Sequence, residues 1–230
     1  MNETANTVTG RLRQSLLICG ALSSLLYLMA DITASLSWKN VYDYSSQSFS
    51  ELMAFQAPTR PFVLSLNILY NILVIAVGIS LFLMKGRKIS LRITGILFAG
   101  YAVTGIVTPS FFPAPMRGFE ATFRNTMHLP LTFLEVLFIL LSIGFGSAAL
   151  GKVFRLYSFL TFILLTACAF WGASFVPLIS ENQPTPWLGI IERGNIYGYL
   201  LWVMVFALTL LRLERSHRPI GSQNECTYQN

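Results

Sequence analysis

The sequence predicts an all-α membrane protein built as a bundle of six transmembrane helices. Of its 230 residues, 54% are hydrophobic and only 11% are charged, whereas charged residues average about 25% in soluble domains. The chain also contains repeated stretches of about 20 residues that are almost free of charge, and a helix of that length crosses a hydrocarbon core of about 30 Å. These observations exclude a soluble globular fold.

Six apolar segments account for the helices, which we place at 13–35, 61–84, 89–108, 127–150, 154–176 and 190–211. Arg11 and Arg13 before the first segment are typical of the start of a signal peptide. The apolar core that follows is longer than the 7–15 residues usual for such a peptide, and further spans come after it. We therefore predict a retained first span, an N-terminal tail at 1–12 and a polar, disordered tail at 212–230.

The distribution of basic residues predicts the orientation of the bundle. Of the 16 Lys and Arg residues, eleven fall on the side of the two termini and five on the other side. Cytoplasmic loops carry the excess of Lys and Arg, so both termini are predicted to be cytoplasmic and the three long loops to face outward. The net charge of +6 follows this topology rather than forming one basic face, so it does not indicate a nucleic-acid partner.

The first outer loop, residues 38–60, is predicted to have a structure of its own. The sequence SFSE at 48–51 fits a capping box, in which serine and glutamate side chains satisfy free amides at a helix start. Ala57-Pro58 ends the run, so we predict a short interfacial helix at 49–56. Charged loop residues at the same level would form an outer lid: Asp43, Glu51 and Arg60 in this loop, and Glu120, Arg124, Glu181 and Arg193 elsewhere.

Polar side chains within the spans are the most informative signal, because in a bilayer they are costly unless paired or hydrated. Four predicted helices carry them on one face, and each stripe leans toward the outer half, which predicts an outward-facing polar pocket. The residues predicted to bind a ligand are Asn67 and Asn71 in the second helix, Tyr101 and Thr104 in the third, Arg124, His128 and Glu135 in the fourth, and Glu192, Asn195 and Tyr199 in the sixth.

Depth in the membrane distinguishes Glu135 from the other acids. At 1.5 Å per residue it lies roughly 12 Å below the start of its helix, close to the middle of the bilayer, so it needs a partner or a wet cavity. Asp31 and Glu192 are predicted nearer the outer interface, where water is available. The asparagines and threonines of the stripes have an alternative, structural role, because such residues also bond to neighbouring helices.

The residue inventory argues against several kinds of chemistry. A catalytic zinc site needs three or four converging ligands, and His128 is the only histidine outside the C-terminal tail. Cys19, Cys168 and Cys226 show no disulfide pattern and are predicted to be free thiols. We therefore predict no metal and no cofactor. The glycines at positions 95, 100 and 105 favour close helix packing.

Two segments resemble signature stretches of a known family. They are SQSFSELMAFQAPTRP, after the first span, and ERGNIYGYLLW, at the start of the last. On these segments the chain is identified as similar, over residues 16–211, to the bacterial multi-pass family called domain of unknown function 998. The resemblance implies a six-helix protein of the bacterial inner membrane. It implies no activity, cofactor or catalytic residue.

Three functional hypotheses follow from these residues. The first is that the pocket binds or handles a membrane lipid or small amphiphile, with Glu135 and His128 contacting its polar head. The second is an intramembrane enzyme acting on lipid, with Glu135 or His128 as general base. It requires the two side chains to approach a common point. The third is a proton-coupled transporter of a small molecule, with Glu135 carrying the proton. Ligand identity and oligomeric state are left open.

Overall fold

A computed structural model describes residues 2–84, 88–117 and 122–216, with side chains from residue 8 onward. Its helices are α1 (Asn2–Ser37), α2 (Arg60–Phe82), α3 (Ile89–Phe111), α4 (Phe123–Ala148), α5 (Lys152–Ala173), α6 (Val176–Ser180) and α7 (Leu188–Ser216), with a 3₁₀ helix at Phe49–Met53. Six of them are long and apolar enough to cross a membrane. The predicted all-α, six-helix fold is confirmed. Predictions for Glu120 and for the tail beyond Ser216 concern residues outside the described ranges.

Helix boundaries differ most from prediction in the first and the last helix of the chain. α1 begins at Asn2 rather than at residue 13, and α7 continues to Ser216 rather than ending at 211. Apolar runs mark the part of a helix that crosses the membrane, and a helix can continue into water beyond it. Here the two extensions support each other, because Arg13 forms an ion pair of 2.7 Å with Glu214. The helix predicted at 49–56 is a shorter 3₁₀ helix at Phe49–Met53, and α6 occupies part of a predicted loop.

The six long helices form a closed ring in the order α1, α2, α3, α4, α5, α7, in which each packs against the next and α7 returns to α1. The connections α2–α3 and α4–α5 lie at one end of the ring, here called the short-loop end. The segments 38–59, 112–117 and 181–187 lie at the opposite, long-loop end. α4 and α7 lie on either side of α5 in this order and make little direct contact with each other, so the packing leaves space between them.

Aromatic side chains fill the interior of the ring toward the short-loop end. Trp202 is fully buried and stacks on Phe206, with ring centroids 4.9 Å apart. Phe98 meets Trp202 edge-on at 6.4 Å. The indole N–H donates to the Ser158 hydroxyl at 2.9 Å. α4 approaches this stack because it carries Gly146, where a Cβ would come within 2.8 Å of the indole. Dense packing in this half anchors the helices around the more open half.

A proline in α3 explains why Asn67, a member of the polar stripe on α2, is buried at this position. Pro109 has no N–H, so the carbonyl of Gly105, four residues earlier, lacks its helical hydrogen bond. The side chain of Asn67 on α2 donates to that carbonyl at 2.7 Å. Asn71, one turn further along α2, donates to the Asn67 carbonyl at 2.9 Å. Asn67 therefore has the structural role that we left open for such residues, and it also lies on the wall of the cavity described below.

A buried ion pair joins α1 to α7 at the long-loop end. The Arg193 guanidinium donates through Nε and Nη2 to the two oxygens of Asp31, each at 2.8 Å. The exposed fractions of the two residues are 2% and 0%. The prediction that Asp31 lies near water is wrong, because the first loop folds back over the end of α1 and covers the carboxylate. Ser35 and Tyr197 also donate to it, at 3.1 and 2.5 Å.

The remaining donors of Arg193 bind the first loop. Nη1 donates to the carbonyls of Tyr44 and Gln47 at 2.9 and 3.2 Å, and Nη2 donates to the Tyr42 hydroxyl at 2.7 Å. Burial raises the pKa of the Tyr42 phenol, so it stays protonated and donates to the Gln47 carbonyl at 3.0 Å. One side chain on α7 thus holds three positions of the loop.

Close approach of backbones completes the docking of the first loop on α7. A Cβ at Gly189 would lie 2.3 Å from the Tyr44 carbonyl oxygen and 2.5 Å from that of Gln47, distances that no side chain tolerates. The amide of Ile190 donates to the Ser45 carbonyl at 3.3 Å. Gly189 is therefore required where the loop meets the start of α7.

Replacement of Asp31 by asparagine tests the buried pair. Asp31→Asn leaves the Arg193 charge buried without its counter-ion, and the free energy of unfolding should fall by about 3–5 kcal/mol. Denaturation in mixed micelles, followed by tryptophan fluorescence, measures the loss. Asp43→Asn is the matched control, because Asp43 is exposed on the first loop and should contribute far less. Equal losses in the two variants would contradict the assignment.

Candidate functional site

A cavity of about 890 Å³ lies inside the ring toward the long-loop end. Its wall contains residues of every long helix, of the 3₁₀ helix and of α6. The lining combines apolar and aromatic side chains with a small number of polar groups, the general character of sites for small molecules. The cavity therefore occupies the position in which the sequence predicted a polar pocket.

Most of the predicted ligand-binding residues meet in this cavity. Eight of the ten line it: Asn67, Asn71, Tyr101, His128, Glu135, Glu192, Asn195 and Tyr199. Helical spacing placed each stripe on one face, and the closed ring turns all four faces toward the same space. Whether any of these residues binds a ligand stays a prediction.

Thr104 and Arg124 do not line the cavity. The Thr104 hydroxyl donates to the Gly100 and Tyr101 carbonyls of its own helix, at 3.0 and 2.9 Å. Arg124 lies in the first turn of α4 and is exposed. A long cationic side chain at a helix end near the membrane surface reaches water readily. The position of Arg124 in the polar stripe therefore did not determine whether its side chain lines the cavity.

Only one of the three residues predicted for the outer lid in the first loop reaches the cavity. Glu51 lines it, whereas Asp43 and Arg60 do not. Asp43 instead orders a turn of the loop, accepting from the hydroxyls of Ser45 and Ser46 at 2.7 and 2.6 Å. Hydrogen bonds from Ser46 and then Ser45 lower the pKa of Asp43 to about 2. Arg60 donates to the Met53 and Ser110 carbonyls and joins the loop to α3.

Glu135 lies on the cavity wall at mid-height of α4. Its Oε1 accepts a hydrogen bond of 2.6 Å from the Thr108 hydroxyl on α3. No cation within the described residues forms an ion pair with it. The prediction that Glu135 needs a partner or a cavity matches this geometry, since it has one neutral partner and faces an open space.

Glu192 lies on the cavity wall near the start of α7. Its Oε2 accepts a hydrogen bond of 3.0 Å from the backbone N–H of Phe49, the first residue of the 3₁₀ helix. Arg193 is adjacent in sequence, but its guanidinium is bound to Asp31 on the other side of α7. Glu192 therefore connects the 3₁₀ helix to α7, and it forms no ion pair with any described residue.

Arg117 holds the three segments of the long-loop end together. It donates to the Ser46 carbonyl at 2.8 Å, to the Thr185 hydroxyl at 2.6 Å and to Glu51 Oε1 at 3.3 Å. The Glu51 carboxylate also accepts from the Ser48 amide at 3.0 Å, which is the reciprocal half of the predicted capping box. We call this group, Ser46, Glu51, Arg117 and Thr185, the loop clasp.

Tyrosine rings form a further part of the cavity wall. Tyr70 and Tyr101 join their hydroxyls at 3.0 Å across α2 and α3. Tyr27 packs edge-on against Tyr70 at 4.8 Å, and Tyr199 against Tyr101 at 5.2 Å. With Phe49, 4.7 Å from Tyr27, these rings make a continuous aromatic surface drawn from α1, α2, α3, α7 and the first loop.

His128 and Glu135 have separate hydrogen-bond partners. Seven residues separate them on α4, a rise of roughly 10 Å. His128 Nδ1 lies 2.8 Å from the Phe112 carbonyl, which marks it as the protonated nitrogen, and Glu135 is bound to Thr108. Within the described residues no hydrogen bond joins the two side chains. These contacts do not provide the shared point that the enzyme hypothesis requires, and the hypothesis stays a prediction.

Arg117, Tyr27 and Tyr70 are site residues that sequence reasoning missed. Arg117 stands in a short loop without periodicity, so only its possible pairing with Glu51 could have indicated its role. Tyr27 lies on a helix to which we assigned no polar stripe. Tyr70 lies between the two asparagines of α2. An aromatic side chain within an apolar span gives no signal that separates a cavity wall from a packed core.

The ring of spans and the cavity between them define an integral membrane protein with a partly polar space between its helices. The family model described as protein of unknown function (DUF998) matches residues 21–209, so the chain belongs to that family. The match confirms the resemblance seen in the two signature segments. No curated protein and no solved structure matches the chain.

Opening the loop clasp should expose the cavity. Arg117→Gln removes the cation that joins the three segments. Cys168 lines the cavity, so a small water-soluble maleimide should alkylate it several-fold faster in this variant than in the unaltered protein. The experiment uses a background in which Cys19 and Cys226 are serine, and mass spectrometry measures the rate.

Arg124→Gln is the control, because Arg124 is an exposed arginine outside the cavity wall. It should leave the rate unchanged. An unchanged rate in the Arg117 variant would show that the clasp does not limit access.

Proposed function

We propose that the protein binds or handles a lipid or small amphiphile in the cavity. The observation that carries the proposal is the cavity itself, about 890 Å³ of space inside the ring with an apolar and aromatic wall and few polar groups. This volume lies within the range of about 300–1,000 Å³ typical of ligand sites. In a membrane protein, the compounds most available to such a space are those of the bilayer.

The side of the cavity between α4 and α5 supports entry from the bilayer. Phe133 on α4 lines the cavity and is 51% exposed. Opposite it, α5 contributes the small residues Ala169, Gly172 and Ala173 to the lining. Side chains of this size leave a gap between helices that larger ones would close. An amphiphile would enter here with its tail among lipids and its head toward the polar groups.

The geometry favours binding over catalysis. A general base must reach the proton that it abstracts directly or through one water, and the separation of His128 from Glu135 leaves each without the other's assistance. A proton-coupled transporter needs access from both ends of the bundle, whereas Trp202, Phe206 and their neighbours fill the interior toward the short-loop end. We rank both alternatives below binding.

The orientation forms part of the proposal. The excess of basic residues on the side of the termini favours cytoplasmic termini, in a bacterial inner membrane. The long-loop end and the cavity would then face outward.

Filling the cavity should remove the bound amphiphile. Gly172 lines the cavity, and a Cβ there would have only Ile191 near it, at 4.0 Å. Gly172→Phe should therefore fold normally and occupy the space. The full chain is extracted from its host membrane and measured by native mass spectrometry. The unaltered protein should carry an amphiphile, and this variant should carry at most about a tenth as much, which corresponds to a loss of affinity of tenfold or more.

Gly144→Phe provides the matched control. Gly144 is also in a transmembrane helix and is exposed, and a Cβ added there would have no atom within 4 Å. The same substitution at this position adds a ring on the lipid-facing surface and should retain the amphiphile. If the unaltered protein carried none, or if both variants kept it equally, the proposed function would be wrong.

A further inference from the structure

We propose that the amphiphile bound in the cavity carries a positive charge on its head, as an amine or quaternary ammonium group. This inference rests on the proposed function and specifies the chemical class of its ligand. Four features of the described cavity wall carry it: two carboxylates without counter-ions, the commitment of the nearby arginines, an unpartnered amide oxygen, and an aromatic surface.

The carboxylates of the wall outnumber its cations. Glu135 and Glu192 each have a single neutral hydrogen-bond partner, Thr108 and the Phe49 amide. Glu51 is different, because Arg117 pairs with it at 3.3 Å. A carboxylate in an apolar space is costly without a compensating charge. A cationic ligand supplies that charge where the described residues form no ion pair with Glu135 or Glu192.

The two arginines near the site are already committed. Arg193 gives Nε and Nη2 to Asp31 and Nη1 to three loop and helix carbonyls. Arg117 binds Glu51, the Ser46 carbonyl and the Thr185 hydroxyl. An anionic head such as a phosphate would therefore meet two carboxylates and would have to displace existing bonds to gain an arginine. The charge distribution disfavours such a head.

Asn71 provides an observation independent of the carboxylates. Its side chain is fully buried at 0% exposure and lines the cavity. Its Nδ2 donates to Asn67, but its Oδ1 has no hydrogen-bond partner among the described residues. A buried acceptor without a partner costs about 1–3 kcal/mol. The missing partner is a donor, which a head group with an ammonium N–H would provide.

The aromatic surface favours the same ligand. Tyr27, Phe49, Tyr70, Tyr101 and Tyr199 line the cavity together. The face of an aromatic ring attracts a cation within about 6 Å, and recognition of quaternary ammonium groups by clustered rings is a general use of this interaction. The rings and the two carboxylates line the same cavity, so both the ring faces and the carboxylate charges would attract a cation.

Matched ten-carbon probes test the charge of the head. Decyltrimethylammonium, decyl glucoside and decyl phosphate share one tail and differ in head charge, and tetramethylammonium is the head alone. Each is titrated calorimetrically into the full chain in dodecyl maltoside micelles, with empty micelles and the Gly172→Phe variant as blanks. The cation should bind at least about tenfold more tightly than the neutral and anionic probes.

Carboxamide variants locate the site. Glu135→Gln and Glu192→Gln each keep the hydrogen-bond acceptor and remove the charge. Each should lower the affinity for decyltrimethylammonium about tenfold or more and leave the affinity for decyl glucoside unchanged. Asp43→Asn removes an exposed acid outside the cavity and should leave the cation's affinity unchanged. Unaltered cation affinity in both glutamate variants would overturn the inference.

The probes separate failure of this inference from failure of the proposed function. The neutral or anionic probe could bind as tightly as the cation and lose its binding in the Gly172→Phe variant. The inference of a cationic head would then be wrong, and the proposal of amphiphile binding would stand. If tetramethylammonium binds as tightly as the decyl compound, the cation site stands and an amphiphile is not its ligand. If no probe binds, both proposals are wrong.

Discussion

The buried pair of Asp31 and Arg193 is the interaction on which the long-loop end depends. The five guanidinium donors and both carboxylate oxygens have partners, so two charges that would be costly in an apolar bundle are fully hydrogen-bonded. The partners belong to α1, α7 and the first loop. This pair therefore fixes the loop on the helices, and the loop carries Phe49 and Glu51, which complete the cavity wall.

The bundle uses its two halves differently. Toward the short-loop end, stacked aromatic rings fill the ring of helices, and the indole N–H of Trp202 donates to the Ser158 hydroxyl. Toward the long-loop end, helices α4 and α7 stay apart, and the carboxylates of Glu135 and Glu192 face the space between them. A chain that buries charge without pairing it loses stability. A bound ligand of opposite charge would restore part of that loss, which ties the geometry of the cavity to binding.

The fold and much of the cavity wall could be predicted from the sequence, and the physical reasons for this also explain what could not be predicted. Apolar runs located six spans because the bilayer demands length and composition, and helical spacing identified faces such as that of His128 and Glu135. Spacing does not identify partners: Asp31 and Arg193 meet across 162 positions, and the depth of Asp31 alone suggested water. Arg117 acts from a loop without periodicity. The cavity itself depends on where Gly146 and Trp202 pack, which no local pattern specifies.

Density in the cavity tests the central claim most directly. A cryo-electron microscopy map of the full chain in lipid nanodiscs, with a bound antibody fragment to aid alignment, would show the space between α4 and α7. The account predicts elongated density there, with one end beside Glu135 and Glu192 and the other passing between α4 and α5. A cavity closed by inward movement of α4, or one containing only separate water-sized features, would contradict it.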